Sequence, residues 1–113
     1  MNQQNRWAPL RPEEAEAALN RAVEQVRINL PLYDEACQNH SSVGGIYPAC
    51  NNEQWTCGFW PGEIWLAYEH TGDSVFLQAA EKKVDSFWNR IVQKTAVDHH
   101  DMGFLYSPSC VSA

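Results

Sequence analysis

Two carboxylates and two imidazoles stand together at Asp98-His99-His100-Asp101, just ahead of Met102-Gly103-Phe104-Leu105-Tyr106. Metal capture is the first chemistry such a cluster suggests. Adjacent histidines do not readily converge on one ion, however, and no Cys or second His pair lies nearby in sequence, so no metal ligand is assigned. A carboxylate in a loop beside aromatic walls suits acid–base work better, because partial burial and a neighbouring like charge raise its pKa toward neutrality. Glycosidases place two carboxylates about the reacting bond in this way. The plainer alternative is that Asp98 or Asp101 caps a turn or pairs with a surface cation.

The second chemical signal is aromatic. Five tryptophans are present, and Trp55, Trp60 and Trp65 fall within eleven positions. The indole offers the largest face for stacking on the apolar side of a sugar ring. Trp65 and Trp88 lie on helical stripes and are expected in the core. Trp55 lies in the polar run Asn51-Asn52-Glu53-Gln54-Trp55-Thr56, outside any apolar period, and is either ligand-facing or an ordinary loop aromatic.

Helices must position these groups. Pro12-Glu13-Glu14 is a helix start, and Ala15, Ala18, Leu19, Ala22, Val23, Val26 and Leu30 recur at one-face spacing, which predicts a helix over Pro12 to Leu30 stopped by Pro31. From Asn39 to Asn52 the turn formers are too dense for any regular element. The expected result is a long loop, site-facing over 39–60. Pro61-Gly62-Glu63 opens a second helix that Thr71-Gly72 ends, and Asp73 caps a third carrying Phe76, Ala80, Val84, Phe87, Trp88 and Ile91. The two form an αα-hairpin. Ser107-Pro108 reads as the start of a fourth helix with too few residues behind it, which predicts that further sequence belongs downstream.

Length and charge bound the function. The 113 residues make one domain, and 8 basic against 14 acidic side chains gives a net charge of −6, which argues against a nucleic-acid partner. Residues 1–11 read as a flexible lead whose polar start lacks the apolar stretch of a secretory signal, and no apolar run approaches a membrane span. A cytoplasmic location follows as the expectation. There Cys37, Cys50, Cys57 and Cys110 are expected to be free thiols, without a Cys-x-x-Cys motif. No cofactor is assigned.

The stretches Trp55-Thr56-Cys57-Gly58-Phe59-Trp60-Pro61-Gly62-Glu63-Ile64-Trp65-Leu66-Ala67-Tyr68-Glu69-His70-Thr71-Gly72-Asp73 and Asp98 to Tyr106 resemble the N-terminal third of the unsaturated glucuronyl hydrolases, glycoside hydrolase family 88. The resemblance implies an all-α fold: a partial (α/α)6 barrel holding the first three helices and the start of the fourth. It implies hydrolysis of oligosaccharides whose non-reducing uronic acid carries the C4=C5 double bond left by polysaccharide lyases. That vinyl ether is hydrated, and the resulting hemiketal collapses and releases the sugar. By resemblance Asp101 matches a catalytic aspartate, Trp55 an aromatic of the sugar site, and His100 a neighbour in the same loop. The principal acid–base aspartate of the family would lie beyond Ala113, so the chain alone is expected to be inactive. Cys57 departs from the acidic or amide residue commoner in relatives. Two other readings remain: a helical-repeat interaction module, suggested by the helix-turn-helix over Pro61 to Lys94, and a degenerate sugar-binding fragment. Helix faces left uncovered by a partial barrel are expected to favour self-association.

Overall fold

The structure, a computed structural model, describes residues 8–113. Most of the expected flexible lead, residues 1–7, therefore lies outside the described residues. Helix α1 runs Pro12–Asn29, with Pro12 at its first position and the Glu14 carboxylate accepting the Arg11 backbone N–H at 3.0 Å. Only the second half of its apolar stripe is covered: Val23 and Val26 are buried, whereas Leu19 keeps 42% of its surface exposed.

The stretch expected to be an irregular loop contains a small hairpin. Strands β1 (Cys37–Gln38) and β2 (Ala49–Cys50) pair antiparallel, with Cys37 opposite Cys50 and Gln38 opposite Ala49. At its tip Val43 and Ile46 exchange backbone hydrogen bonds of 2.8 and 3.2 Å around Gly44 (φ 59°) and Gly45 (φ 80°). Two successive residues with positive φ give the turn whose twist matches that of paired strands, and glycine enters it without a Cβ penalty. The turn formers were therefore making a hairpin rather than excluding one.

A 3-10 turn, Trp55–Gly58, feeds directly into α2 (Phe59–Thr71), so the second helix begins two residues ahead of Pro61, the expected start. Gly72 ends α2 in the left-handed region at φ 68°, its N–H bonded to Tyr68 O at 2.7 Å. Asp73 Oδ1 then accepts the Val75 N–H at 3.1 Å and starts α3 (Ser74–Val92). This is the expected αα-hairpin. Trp60, Ile64 and Ala67 of α2 meet Phe76, Ala80 and Phe87 of α3 in the core, with Leu105 closing one end.

Two expectations fail here. Trp88, expected in the core, is 61% exposed, because it lies one residue past Phe87 and so about 100° around the helix from the buried stripe. The fourth helix does not begin at Ser107. Helix α4 occupies Met102–Tyr106, and Ser107–Val111 continues it as a wider π turn. Pro108 packs on Gly62, where a Cβ would come within 2.8 Å of the Pro108 Cβ.

Buried cations on α3 hold the loops. Lys83 lies on the same stripe as Phe76, Ala80 and Phe87, and its ammonium donates to the carbonyls of Tyr33, Asp34 and Ala36 at 2.8, 2.8 and 2.6 Å. Arg90, two turns further, donates to Asn52 O and, at 2.9 Å, to Ala96 O. It thereby fixes a loop in which Lys94 and Ala96 adopt positive φ. Three donors on one ammonium and five on one guanidinium suit these residues to gathering carbonyls that no strand or helix satisfies.

Candidate functional site

The site is built where the 3-10 turn meets α4. Gly58 makes the contact: a Cβ there would lie 2.3 Å from both Leu105 O and Phe104 O, so only glycine lets the backbone of α4 rest on the turn. The docking brings three aromatic rings together. The Trp55 ring centroid is 5.7 Å from Phe104 and 6.3 Å from Phe59, both edge-on, and Phe59 and Phe104 are 6.0 Å apart. All three remain partly open, at 45%, 50% and 41% exposure for Trp55, Phe104 and Phe59. Edge-to-face packing of this kind fixes ring planes while leaving faces free for a ligand.

Asp101 stands immediately before α4, and its carbonyl accepts the Phe104 N–H at 3.0 Å. Its backbone N–H donates to His99 Nδ1 at 3.2 Å. The carboxylate caps no backbone group of α4. Its one described partner is His100, whose Nε2 lies 3.4 Å from Oδ1. The side chain of Asp101 is 24% exposed and that of His100 is 92% exposed, so the pair forms a half-covered carboxylate under a solvent-facing imidazole. Asp98, the other carboxylate of the motif, is exposed and makes no ion pair among the described residues. Trp55 and Asp101, 46 positions apart in sequence, are thus linked through Phe104.

A hollow of ≈ 420 Å³ adjoins this cluster, with Gln38, His40 and Tyr47 of the hairpin on one side and Thr56, Phe59 and Glu63 on the other. Asp101 and Trp55 do not line it. The Tyr33 hydroxyl donates to Tyr47 O at 2.6 Å, and the Gln54 side-chain oxygen lies 3.0 Å from both the His40 backbone nitrogen and its Nδ1. Both contacts hold the hairpin wall in place. The Thr56 hydroxyl is buried without a hydrogen-bond partner among the described residues. Sequence reasoning missed the hairpin side of this hollow, because the pairing that delivers His40 and Tyr47 is carried by two-residue strands too short to show a period.

Glu63 borders both this hollow and a groove of ≈ 360 Å³ between α1 and α2, where Leu19, Val23, Val26, Leu66 and Ala67 line the other walls. Its side chain meets solvent on one side, yet desolvation by these walls pushes its carboxyl above the ordinary value. A carboxyl that binds its proton more tightly when folded loses stability as pH rises from the ordinary glutamate value through the raised one. Glu63→Gln should therefore raise the urea midpoint at neutral pH, and the gain should vanish in acid, where both side chains are uncharged. A gain equal at both pH values would assign the effect to something other than the charge.

No family model matches the chain. Among curated proteins it is 40% identical over 103 residues to the unsaturated chondroitin disaccharide hydrolase of Streptococcus pneumoniae, covering 91% of this chain and 26% of that protein. It is 43% identical over 99 residues to the protein of the same name from Streptococcus agalactiae, covering 88% and 25%. Of solved structures, the unsaturated glucuronyl hydrolase from Streptococcus agalactiae superposes with a TM-score of 0.88 at 42% identity, over 93% of this chain and 28% of that one. A point variant of that hydrolase has been solved with dGlcA-GalNAc6S bound. The resemblance to unsaturated glucuronyl hydrolases thus extends over nearly the whole chain, which spans about a quarter of the length of the curated relatives it matches.

Proposed function

We propose that the chain supplies one wall of a glycoside hydrolase site that removes a 4,5-unsaturated uronic acid from oligosaccharides produced by polysaccharide lyases. What supports this reading is the uncapped carboxylate of Asp101 at the start of α4, the helix whose Phe104 joins Trp55 and Phe59 in an open aromatic triangle. Hydration of the C4=C5 vinyl ether needs a proton at C4 and a water at C5. Asp101 assists that proton transfer, with His100 above it reaching substrate oxygens. The Trp55 indole receives the apolar face of the sugar. C5 gains a hydroxyl and becomes a hemiketal. Its bond to the ring oxygen breaks to leave a ketone at C5 and a hemiacetal at C1, and that hemiacetal expels the glycosidic oxygen as the leaving alcohol while C1 becomes an aldehyde.

The remaining catalytic groups belong to sequence that this chain does not contain, and the isolated chain turns over no substrate. In the complete enzyme, α1, α2, α3 and α4 form the opening portion of an (α/α)6 toroid, and residues 39–60 face the substrate. The apolar groove between α1 and α2 is then an inter-helix surface, and in the isolated chain it promotes self-association. Among the described residues no helix is long and apolar enough to cross a membrane. We assign the protein to the cytoplasm, where disulfides are transient rather than permanent structural links.

A chimera tests the reading. Residues 8–113 of this chain replace the matching quarter of the Streptococcus agalactiae hydrolase, and turnover of an unsaturated chondroitin disaccharide is followed as loss of vinyl absorbance. The chimera is expected to be active. Trp55→Ala within it should raise KM about tenfold, the equivalent of one aromatic stacking contact. An inactive but folded chimera, or a KM indifferent to Trp55, overturns the assignment.

A further inference from the structure

Three of the four cysteines meet at the base of the hairpin, and the proposed hydrolysis uses none of their thiols. Cys37 and Cys50 are direct partners in the antiparallel register. Opposed residues in such a pair share one face of the ladder, with Cα atoms about 4.5 to 5.5 Å apart, inside the 4.4 to 6.8 Å that a disulfide spans. Cys57, on the 3-10 turn, comes up beneath them. The Cys37 thiol points to Cys57 O at 3.9 Å, and the Cys57 thiol donates to Asn51 O at 3.3 Å, one residue from Cys50. Cys37 and Cys57 are each 1% exposed, whereas Cys50 is half-buried and open on one side.

We infer that Cys37 and Cys50 form a peroxide-driven disulfide that staples the hairpin, with Cys50 as the entry thiol and Cys37 as the resolving one. The chemistry closes without a cofactor. Hydrogen peroxide transfers one oxygen to the Cys50 sulfur, giving a sulfenic acid and releasing water. The Cys37 sulfur attacks the Cys50 sulfur, the S–O bond breaks, and the hydroxyl leaves with the Cys37 proton as a second water. Two thiols and one peroxide become one disulfide and two waters.

The surroundings divide the roles. The neighbouring Cys57 side chain, and after it the charges of Lys83 and Arg90, hold Cys37 below the ordinary thiol range against the opposing effect of burial. This favours the thiolate needed for the resolving attack. Burial pushes Cys50 up to about 11, so the first step is slow and needs sustained oxidant. Cys57 is committed to Asn51 O and lacks a strand partner. The bridge would close the segment whose Gln38, His40 and Tyr47 line the ≈ 420 Å³ hollow, holding that wall in its hairpin form.

The sequence makes the pairing directly readable. Glutamate-specific proteolysis cuts after Glu35, Glu53 and Glu63, which places Cys37 and Cys50 together in Ala36–Glu53, Cys57 alone in Gln54–Glu63, and Cys110 in the C-terminal peptide. The folded chain is treated with hydrogen peroxide, alkylated in denaturant and digested. The expected product is Ala36–Glu53 lighter by two hydrogens and unalkylated, with Cys57 and Cys110 both alkylated. Cys50→Ser should abolish the bridge, and Cys57→Ser, with the same far-ultraviolet dichroism as the parent, should leave it intact. Four alkylated cysteines, a crosslink to Gln54–Glu63, or Cys50 carried on to a sulfinic acid without bridging would each overturn the inference.

Discussion

Asp101→Asn, introduced into the active chimera, is expected to lower the rate of vinyl loss by about 100-fold or more, the usual scale of one positioned acid–base group. The substitution is nearly isosteric, and the bonds that place residue 101 are made by its backbone. Its carbonyl still accepts the Phe104 N–H, and its own N–H still donates to His99 Nδ1. The carboxylate holds no cap of α4, so the helix loses nothing. What disappears is a group able to exchange a proton, together with the charge facing His100. The loss should therefore fall on kcat with little change in KM, and the melting profile of the chimera should be unmoved. A variant retaining a rate within about threefold of the parent would remove Asp101 from the chemistry, since general acid–base contributions are far larger than that.

The second large effect separates two adjacent lysines. Lys83→Met is expected to cost about 3 kcal/mol in urea unfolding, because three carbonyls around the 33–36 turn lose their shared donor inside the protein. The apolar stem of the new side chain still fits along the stripe, so the penalty is that of unpaired acceptors rather than of a cavity. Lys82→Met should cost only a small fraction of that. Its ammonium pairs with Asp34 at 2.8 Å and with Glu35, but all three side chains are largely exposed. Equal losses at the two positions would mean that the carbonyl cluster contributes nothing beyond a surface ion pair.

These two lysines show how far the sequence is readable. The helices α1, α2 and α3 were visible because apolar spacing and caps agree: Pro12 with Glu14, Gly72 in the left-handed region, and Asp73 bonding Val75. Lys83 and Arg90 were not read as interior residues, although they continue the register of Phe76, Ala80 and Phe87; their charge concealed what their position announced. Trp88 was misplaced for the opposite reason, an apolar side chain beside the stripe being counted as part of it. The hairpin escaped because two-residue strands carry no alternation and only the Gly44-Gly45 turn betrays them. In the candidate site, the chemical character of Trp55, His100 and Asp101 was legible from their neighbours in sequence. The link through Phe104 was not, since it depends on how two distant segments dock.

That docking runs through a seam with no room for a side chain. Because the α4 carbonyls sit where a Cβ of residue 58 would be, the tryptophan turn and the aspartate helix form one part rather than two. An engineer wishing to transplant this paired unit onto another scaffold must move residues 55–59 and 101–106 as a matched set. Either segment moved alone would meet a foreign partner at backbone distance, where no rotamer is available to absorb the misfit.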